Sequence, residues 1–270
     1  GSIMANREVS VKDIDEDGKL TYDEALVAAH KAYNSESGYS APGGYVSKLW
    51  GMNTTNASFF INNQSFSSSV GAANIKDGDY LVASINKDNL YYADWYSYFD
   101  ATEKSVKVNE EFTLTLKGHL GMAFSDEDKI DTVLPSISIG TVSNGEFSAI
   151  DNKTTNSDGE VTISFDKAGK YYVSASGTVK DLVSDWSQPP YDGSVTMEAD
   201  CPIIAPVCVV TVEDEKAPST DEAEDAIGVY LTVSNEGVIA SANDGSIMAN
   251  REVSVTDANG DGKLTFDDAL

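Results

Sequence analysis

The eleven residues GSIMANREVSV stand at Gly1–Val11 and return, letter for letter, at Gly245–Val255. Between Gly1–Leu26 and Gly245–Leu270, 20 of 26 positions are identical. Identity this high at an offset of 244 residues means a tandem array of large units. The chain is expected to hold one period and the opening of the next, as a fragment or excised piece of a longer array.

Each copy runs into an acidic loop. The first, Asp13–Glu24, reads DIDEDGKLTYDE. Carboxylates alternate at Asp13, Asp15 and Asp17, Gly18 allows a sharp turn, and Leu20 is an apolar anchor. Lys19 would contribute only its backbone carbonyl, Thr21 would act directly or through water, and Glu24 would close the site with two oxygens. The spacing resembles the loop of an EF-hand, and that resemblance implies Ca2+ as the cofactor. In the second copy, DANGDGKLTFDD, the same roles fall to Asp257, Asn259, Asp261, Lys263, Thr265 and Asp268, with Gly262 at the turn. Asp268 is shorter than Glu24, which predicts a weaker site or one closed through a water. A loop of this pattern followed by a helix also resembles half of a dockerin. Dockerins carry two such halves close together, whereas these lie 244 residues apart. One loop per repeat is therefore the primary reading. A split dockerin, closed by the two ends meeting and binding a cohesin, is the alternative.

Acidic residues outnumber basic ones 44 to 18, for a formal charge of −26. Such a surface argues against nucleic acid and against direct contact with an anionic membrane. It suits an extracellular protein that binds a divalent cation. No apolar run is long enough to span a bilayer as a helix.

After the first loop, Tyr22–Tyr33 reads as a helix, with Ala25, Leu26, Ala29 and Ala32 on one face and acidic residues in its first turn. Arg7–Val11 before the loop alternates like a strand. Tyr45–Trp50, Ser58–Ile61, Tyr80–Asn86 and Leu90–Phe99 are short apolar segments between turn signals. One helix on a mixed sheet in under 100 residues predicts a small α+β domain. GYVSKLWG, FFINN and IKDGDYLVAS resemble the family similar to the C-terminal domain of transcobalamin, through Gly44, Asn62, Asn63, Gly78 and Asp79. The resemblance covers about Glu8–Asp100 and implies a β-grasp-like fold with the acidic loop inserted before the helix. It carries no cobalamin-contacting residue onto this chain, so the vitamin does not come with the fold.

From residue 101 the pattern is strands only. Ser105–Val108, Phe112–Lys117, Ser136–Val142, Glu146–Ile150, Glu160–Phe165, Lys170–Ser176, Ser194–Met197 and Ile203–Val212 predict a β-sandwich. TTNSDGEVTISFDKAGKYYVSASG resembles bacterial immunoglobulin-like surface repeats, through Ser157, Asp158, Gly159, Ala168, Gly169 and Tyr171. The expected fold class is thus mainly β with one helix-bearing α+β module. Its parts are a β-grasp-like domain over 1–101, an Ig-like sandwich over 102–213, an acidic linker over 214–226, and the start of the next repeat over 227–270. Val229–Ser234 and Gly237–Ala240 are expected to pair as a hairpin that leads the next unit and docks on the helix-bearing module of this chain or a neighbour.

Cys201 and Cys208, in CPIIAPVC, could close a small disulfide loop or stand as two thiols in an apolar strand. The two histidines, His30 and His119, have no nucleophile or second ligand at a useful spacing, and both are expected at element surfaces or ends. Nothing else argues for catalysis, so the chain is read as a non-enzyme with no catalytic residues. Two functions remain. One is a structural and adhesive array on a Gram-positive bacterial surface, its modules stiffened by calcium and its partners the neighbouring repeats. The other is a ligand-binding module for a glycan or corrinoid, with Trp50, Tyr91, Tyr92, Trp95 and Tyr96 as a stacking surface.

Overall fold

A computed structural model describes residues 6–87, 93–121, 131–143, 145–214, 227–231, 234–235, 238–239 and 251–255. The chain is mainly β, with one α-helix among the described residues. Gly1–Glu215 forms one unit and Lys216–Leu270 another.

The first unit begins with helix α1, Tyr22–Tyr33, at the bounds the sequence predicts. Its N-terminus is fully capped. Thr21 and Glu24 form a reciprocal capping box, and the Tyr22 and Asp23 N–H groups donate to the carbonyls of Ala73 and Val70. Tyr22, Ala25, Leu26 and Ala29 are buried, whereas Ala32 at the expected end of that face is exposed. Two short strands follow, β1 (Lys48–Leu49) and β2 (Met52–Asn53), paired with each other. Next come β3 (Ala57–Ile61), β4 (Gln64–Ser65) and β5 (Leu81–Ile85), a sheet in the order β4-β3-β5. Asn62 and Asn63 join β3 to β4 in a two-residue turn with φ 51° and 64°, a conformation asparagine tolerates. The Asn62 side chain donates to Asp79 and accepts the Tyr80 N–H, so this turn is bonded to the next one.

The sandwich opens earlier than expected. Strand β6 (Trp95–Phe99), read from the sequence as the last segment of the α+β module, pairs instead with sandwich strands. β7 (Glu103–Lys107), β8 (Phe112–Leu120), β9 (Thr132–Val133), β10 (Ser138–Ser143), β11 (Glu146–Thr154), β12 (Glu160–Ile163), β13 (Gly169–Ser176), β14 (Thr178–Ser184), β15 (Thr196–Ile204) and β16 (Val207–Glu213) complete it. One sheet runs β11-β10-β13-β16-β7 and the other β12-β8-β6-β15-β14, with β9 on β8. The predicted single strand Ile203–Val212 is two, because the chain turns from one sheet to the other at Ala205–Pro206. β6 and β7 make the same switch between sheets, and the two switching segments run side by side in parallel. Leu114, Leu116, Ile137, Ile139, Ile163, Val173 and Val210, drawn from both sheets, fill one apolar core.

The two halves of this unit share a buried joint. β3 sends Phe59 and Ile61 toward α1 and its neighbours, and Phe60 the opposite way. Phe60 is 0% exposed and stacks on Tyr96 of β6 at 4.0 Å between ring centres. Ile204 of β15, with Val82 and Tyr98, completes the cluster. A sheet covered on both faces carries apolar residues at successive positions, as Phe59, Phe60 and Ile61 do in β3 and Leu81, Val82 and Ala83 in β5.

In the second unit, β17 (Ile227–Leu231) pairs with β20 (Arg251–Val255), and β18 (Ser234–Asn235) with β19 (Val238–Ile239). The expected hairpin of Val229–Ser234 with Gly237–Ala240 is therefore formed only at its tip, where Ser234–Asn235 opposes Val238–Ile239, while Val229–Leu231 pairs with Arg251–Val253 instead. Five consecutive positions of Arg251–Val255 oppose Ile227–Leu231, against two in the shorter ladder. The second acidic loop, Asp257–Asp268, and most of the acidic linker lie outside the described residues.

Candidate metal centre

Asp13, Asp15 and Asp17 converge: each offers a carboxylate oxygen, and these oxygens lie within 4.8 Å of one another. The loop's own amides hold them there. Gly18 N–H donates to Asp13 Oδ2 at 2.8 Å, Asp17 N–H to Asp13 Oδ1 at 3.2 Å, and Lys19 N–H to Asp17 Oδ1 at 2.9 Å. Two left-handed residues coil the chain around this point, Glu16 at φ 61° and Gly18 at φ 83°. The second copy has Gly260 at the position of Glu16. Asp13 is half-buried, whereas Asp15 and Asp17 are exposed.

Glu24 is not in this cluster, although the sequence places it as the closing ligand. Its Oε2 accepts the Thr21 N–H at 2.8 Å and the Thr21 hydroxyl at 3.1 Å, while Oε1 accepts the Ile14 N–H at 2.6 Å. The capping box thus occupies both Glu24 and Thr21. Each carboxylate oxygen has a second lone pair, and the Ile14 bond keeps Glu24 one residue from Asp13. Lys19 lies at the loop's exposed end, tied through its N–H to Asp17.

The loop is anchored at its exit. Ile75 N–H donates to the Leu20 carbonyl at 2.8 Å, and Thr21 bridges Asn74 antiparallel. Leu20's backbone edge is therefore taken by a segment of its own module. Sequence reasoning assigned Leu20 an apolar role and missed this backbone one, for which a lone residue carries no signal.

Chemically, three carboxylates without a thiol or imidazole are a hard, all-oxygen donor set, suited to a divalent cation such as Mg2+, Mn2+ or Ca2+ and not to a soft metal. Among the described residues no lysine or arginine forms an ion pair with them, so their mutual repulsion is left for a cation to relieve. The residues present fit such an ion.

The other expected sites fare differently. Trp95 is 9% exposed and Tyr96 1%, so neither offers a stacking face. The strand is covered on both sides: Trp95 and Phe99 enter the sandwich core, while Tyr96 and Tyr98 enter the joint. Trp95 Nε1–H donates to Asp181, and Tyr96 Oη–H to Asn63 Oδ1 at 2.8 Å, with burial pushing the Tyr96 hydroxyl's pKa up. Trp50 is half-buried, edge-on to His30 at 4.8 Å between ring centres. Tyr91 and Tyr92 lie outside the described residues.

Both histidines are buried, contrary to expectation. His30 is 0% exposed, with Nδ1 at 2.7 Å from the Leu26 carbonyl and Nε2 accepting the Trp50 N–H at 2.9 Å. One nitrogen donates and the other accepts, so His30 is the neutral tautomer with its proton on Nδ1. It stitches α1 to the Trp50 turn. His119 contacts the Asn63 and Leu120 carbonyls beside Tyr96 and belongs to the joint. Neither stands near a nucleophile or a carboxylate it could activate among the contacts found.

Cys201 and Cys208 are both 0% exposed and are not joined as a disulfide. They lie on strands of facing sheets, on either side of the Ala205–Pro206 turn, where each packs as a small apolar side chain. Burial pushes the Cys208 thiol up to about 11. Thiolate is the reactive form, so below that pH little of it exists. Folded protein at pH 8 is expected to resist alkylation and to take up two alkyl groups once denatured without reductant. Uptake of none on denaturation would mean a disulfide and overturn this assignment.

Compared with protein-family models, with curated proteins and with solved structures, the chain matches none.

Proposed function

We propose that this chain is a non-catalytic, calcium-binding unit of a tandem array on the outside of a bacterial cell. In this reading its first half is a β-grasp-like module with an inserted EF-hand-type loop, and its second an immunoglobulin-like sandwich. The observation that carries it is the convergence of Asp13, Asp15 and Asp17 in a loop whose exit is bonded to Asn74–Ile75 of the same module. A cation there would fix the entry to α1, and through α1 the β4-β3-β5 sheet. The buried joint through Phe60 and Tyr96 would then pass that stiffness to the sandwich. Calcium is preferred to magnesium because the loop supplies several protein oxygens on a flexible backbone, whereas magnesium keeps most of its waters.

The alternatives draw less support. A glycan or corrinoid surface on the aromatic stretch needs Trp95 and Tyr96 accessible, and both are buried. A split dockerin needs the first loop to pair with the second, yet Leu20's edge is already used by Ile75. The test is the melting temperature with calcium and with chelator: the chain's rises with calcium, and that of Asp13→Ala gains less.

A further inference from the structure

Trp186 is the most exposed of the chain's three tryptophans, at 48% against 9% for Trp95 and a half-buried Trp50. It stands in the Asp185–Val195 loop that joins β14 to β15, together with Tyr191, which is 65% exposed. The indole is supported from one side. It lies against Gly193, where an added Cβ would come within 2.7 Å of Cζ2 and 2.9 Å of Cη2. Only glycine leaves room for it there, and Gly193 also takes φ 77°. One side of the ring thus rests on main chain, while nearly half of the residue stays in water.

The loop is fixed by its own bonds. Asp185 is 7% exposed; its N–H donates to the Val195 carbonyl at 2.7 Å, and its Oδ1 accepts the Ser187 N–H at 2.9 Å and the Ser187 hydroxyl at 2.6 Å. Tyr191 N–H donates to the Gln188 carbonyl at 2.8 Å, and Ser194 N–H to Asp192 Oδ1 at 3.0 Å. Tyr191 takes φ 63°, a costly conformation for a bulky side chain, and strained backbone of this kind collects at ligand sites. Rings presented on such a loop lose little freedom when something stacks on them.

Charge and shape constrain what that is. From Asp181 to Asp200 there are five acidic residues and no lysine, arginine or histidine, which repels an anionic ligand. Asp192 is exposed, and its carboxyl is held below the usual carboxylate range by the Ser194 hydroxyl and then by the Ser194 amide, so it is an ionised acceptor. A compact organic cation is best held where rings close around it. Trp186 and Tyr191 do not meet each other or a third ring among the aromatic contacts of the described residues. Two separate open rings, set among Ser187, Gln188, Asp192 and Ser194, suit a ligand with apolar faces and a hydroxylated rim. A chain of hexopyranose units with equatorial hydroxyls is such a ligand. Its axial C–H groups lie flat on an aromatic ring, and its hydroxyls donate to carboxylates.

We propose that the Asp185–Val195 loop is a binding site for a neutral, β-linked oligosaccharide, with sugar rings on Trp186 and Tyr191 and hydroxyls donating to Asp192. The site goes beyond the array reading and requires neither calcium nor a neighbouring repeat.

The test titrates the full chain, in chelator, with cellohexaose and with chitohexaose, followed by calorimetry and by tryptophan fluorescence. The other two tryptophans are more covered, so a change in emission reports chiefly on Trp186. Saturable binding of at least one neutral hexamer is expected, and which one binds tells a plain from an N-acetylated sugar. Trp186→Ala and Trp186→Leu are both expected to weaken it about tenfold or more, the scale of one lost stacking contact, and Trp186→Tyr to keep most of it. All three should melt with the parent, because the residue is half in water. Silence with both hexamers up to about 10 mM would overturn the proposal. So would equal binding of an oligogalacturonate, or a Trp186→Leu chain that binds as well as the parent, since leucine keeps apolar surface and loses the flat ring. Binding to phosphatidylcholine vesicles without binding to either sugar would overturn it in favour of a lipid surface.

Discussion

A Phe60→Ala variant is expected to lose about 3–5 kcal/mol and to melt the helix-bearing half and the sandwich together. Phe60 is 0% exposed and sits between two layers: the sheet β4-β3-β5 behind it, and the outer face of β6 and β15 ahead. Its ring stacks on Tyr96 at 4.0 Å and meets His119 edge-on at 6.4 Å. Tyr96 and His119 are themselves fixed by Asn63, one through its hydroxyl and the other through a ring nitrogen. Neither can easily swing into the cavity that alanine leaves, which puts the cost toward the upper part of the usual range. In a unit of this size each kcal/mol is worth about 2–4 °C, so the transition should fall on the order of 10 °C. Phe147→Ala is the control: Phe147 is 36% exposed on β11 at the edge of its sheet, and its loss should change little. If Phe60→Ala lowers the helix signal while the sandwich keeps its own transition, the joint does not couple the halves.

Calcium is expected to have an effect of similar size. A ligand that binds only the folded state adds about 2.7 kcal/mol when it is a hundredfold above its dissociation constant. Without a cation, three carboxylates share a space in which their oxygens lie within 4.8 Å of one another. The melting temperature should therefore rise with calcium, fall with chelator, and fall least in high salt, where the repulsion is screened. Asp13→Ala removes a ligand and also the acceptor for the Gly18 and Asp17 N–H groups. It should lose the calcium response of this loop, and any response that remains would belong to the second copy. Equal melting temperatures in calcium and chelator, with Asp13→Ala also silent, would contradict the reading.

Helix α1 was legible to its last residue because several local signals agree there. The acidic loop ends where the cap begins, Thr21 and Glu24 stand three apart, and Ala25, Leu26 and Ala29 share a face. The Asn62–Asn63 turn and most sandwich strands were legible for the same reason, through turn residues and alternation. What failed depended on distant partners. WYSYF could not reveal that one face of β6 serves the sandwich and the other the joint. Thr178–Ser184 escaped notice because, as an edge strand, β14 keeps polar and exposed residues such as Thr178 and Lys180. His30 and His119 look like surface residues until the carbonyls and amides that satisfy them arrive from elsewhere in the chain. Within the loop, residue types predicted the three aspartates as a group. They could not predict that Glu24, in this structure, serves the helix cap.

The most direct measurement follows backbone amide chemical shifts during a calcium titration. The account predicts that Gly18, whose N–H is bonded to Asp13, shifts saturably, and that Ile75, bonded to the Leu20 carbonyl, shifts with the same midpoint. Asp13→Ala should abolish both. A titration into the millimolar range that leaves Gly18 and Ile75 unmoved would contradict the claim that this loop binds calcium as an integral part of its module.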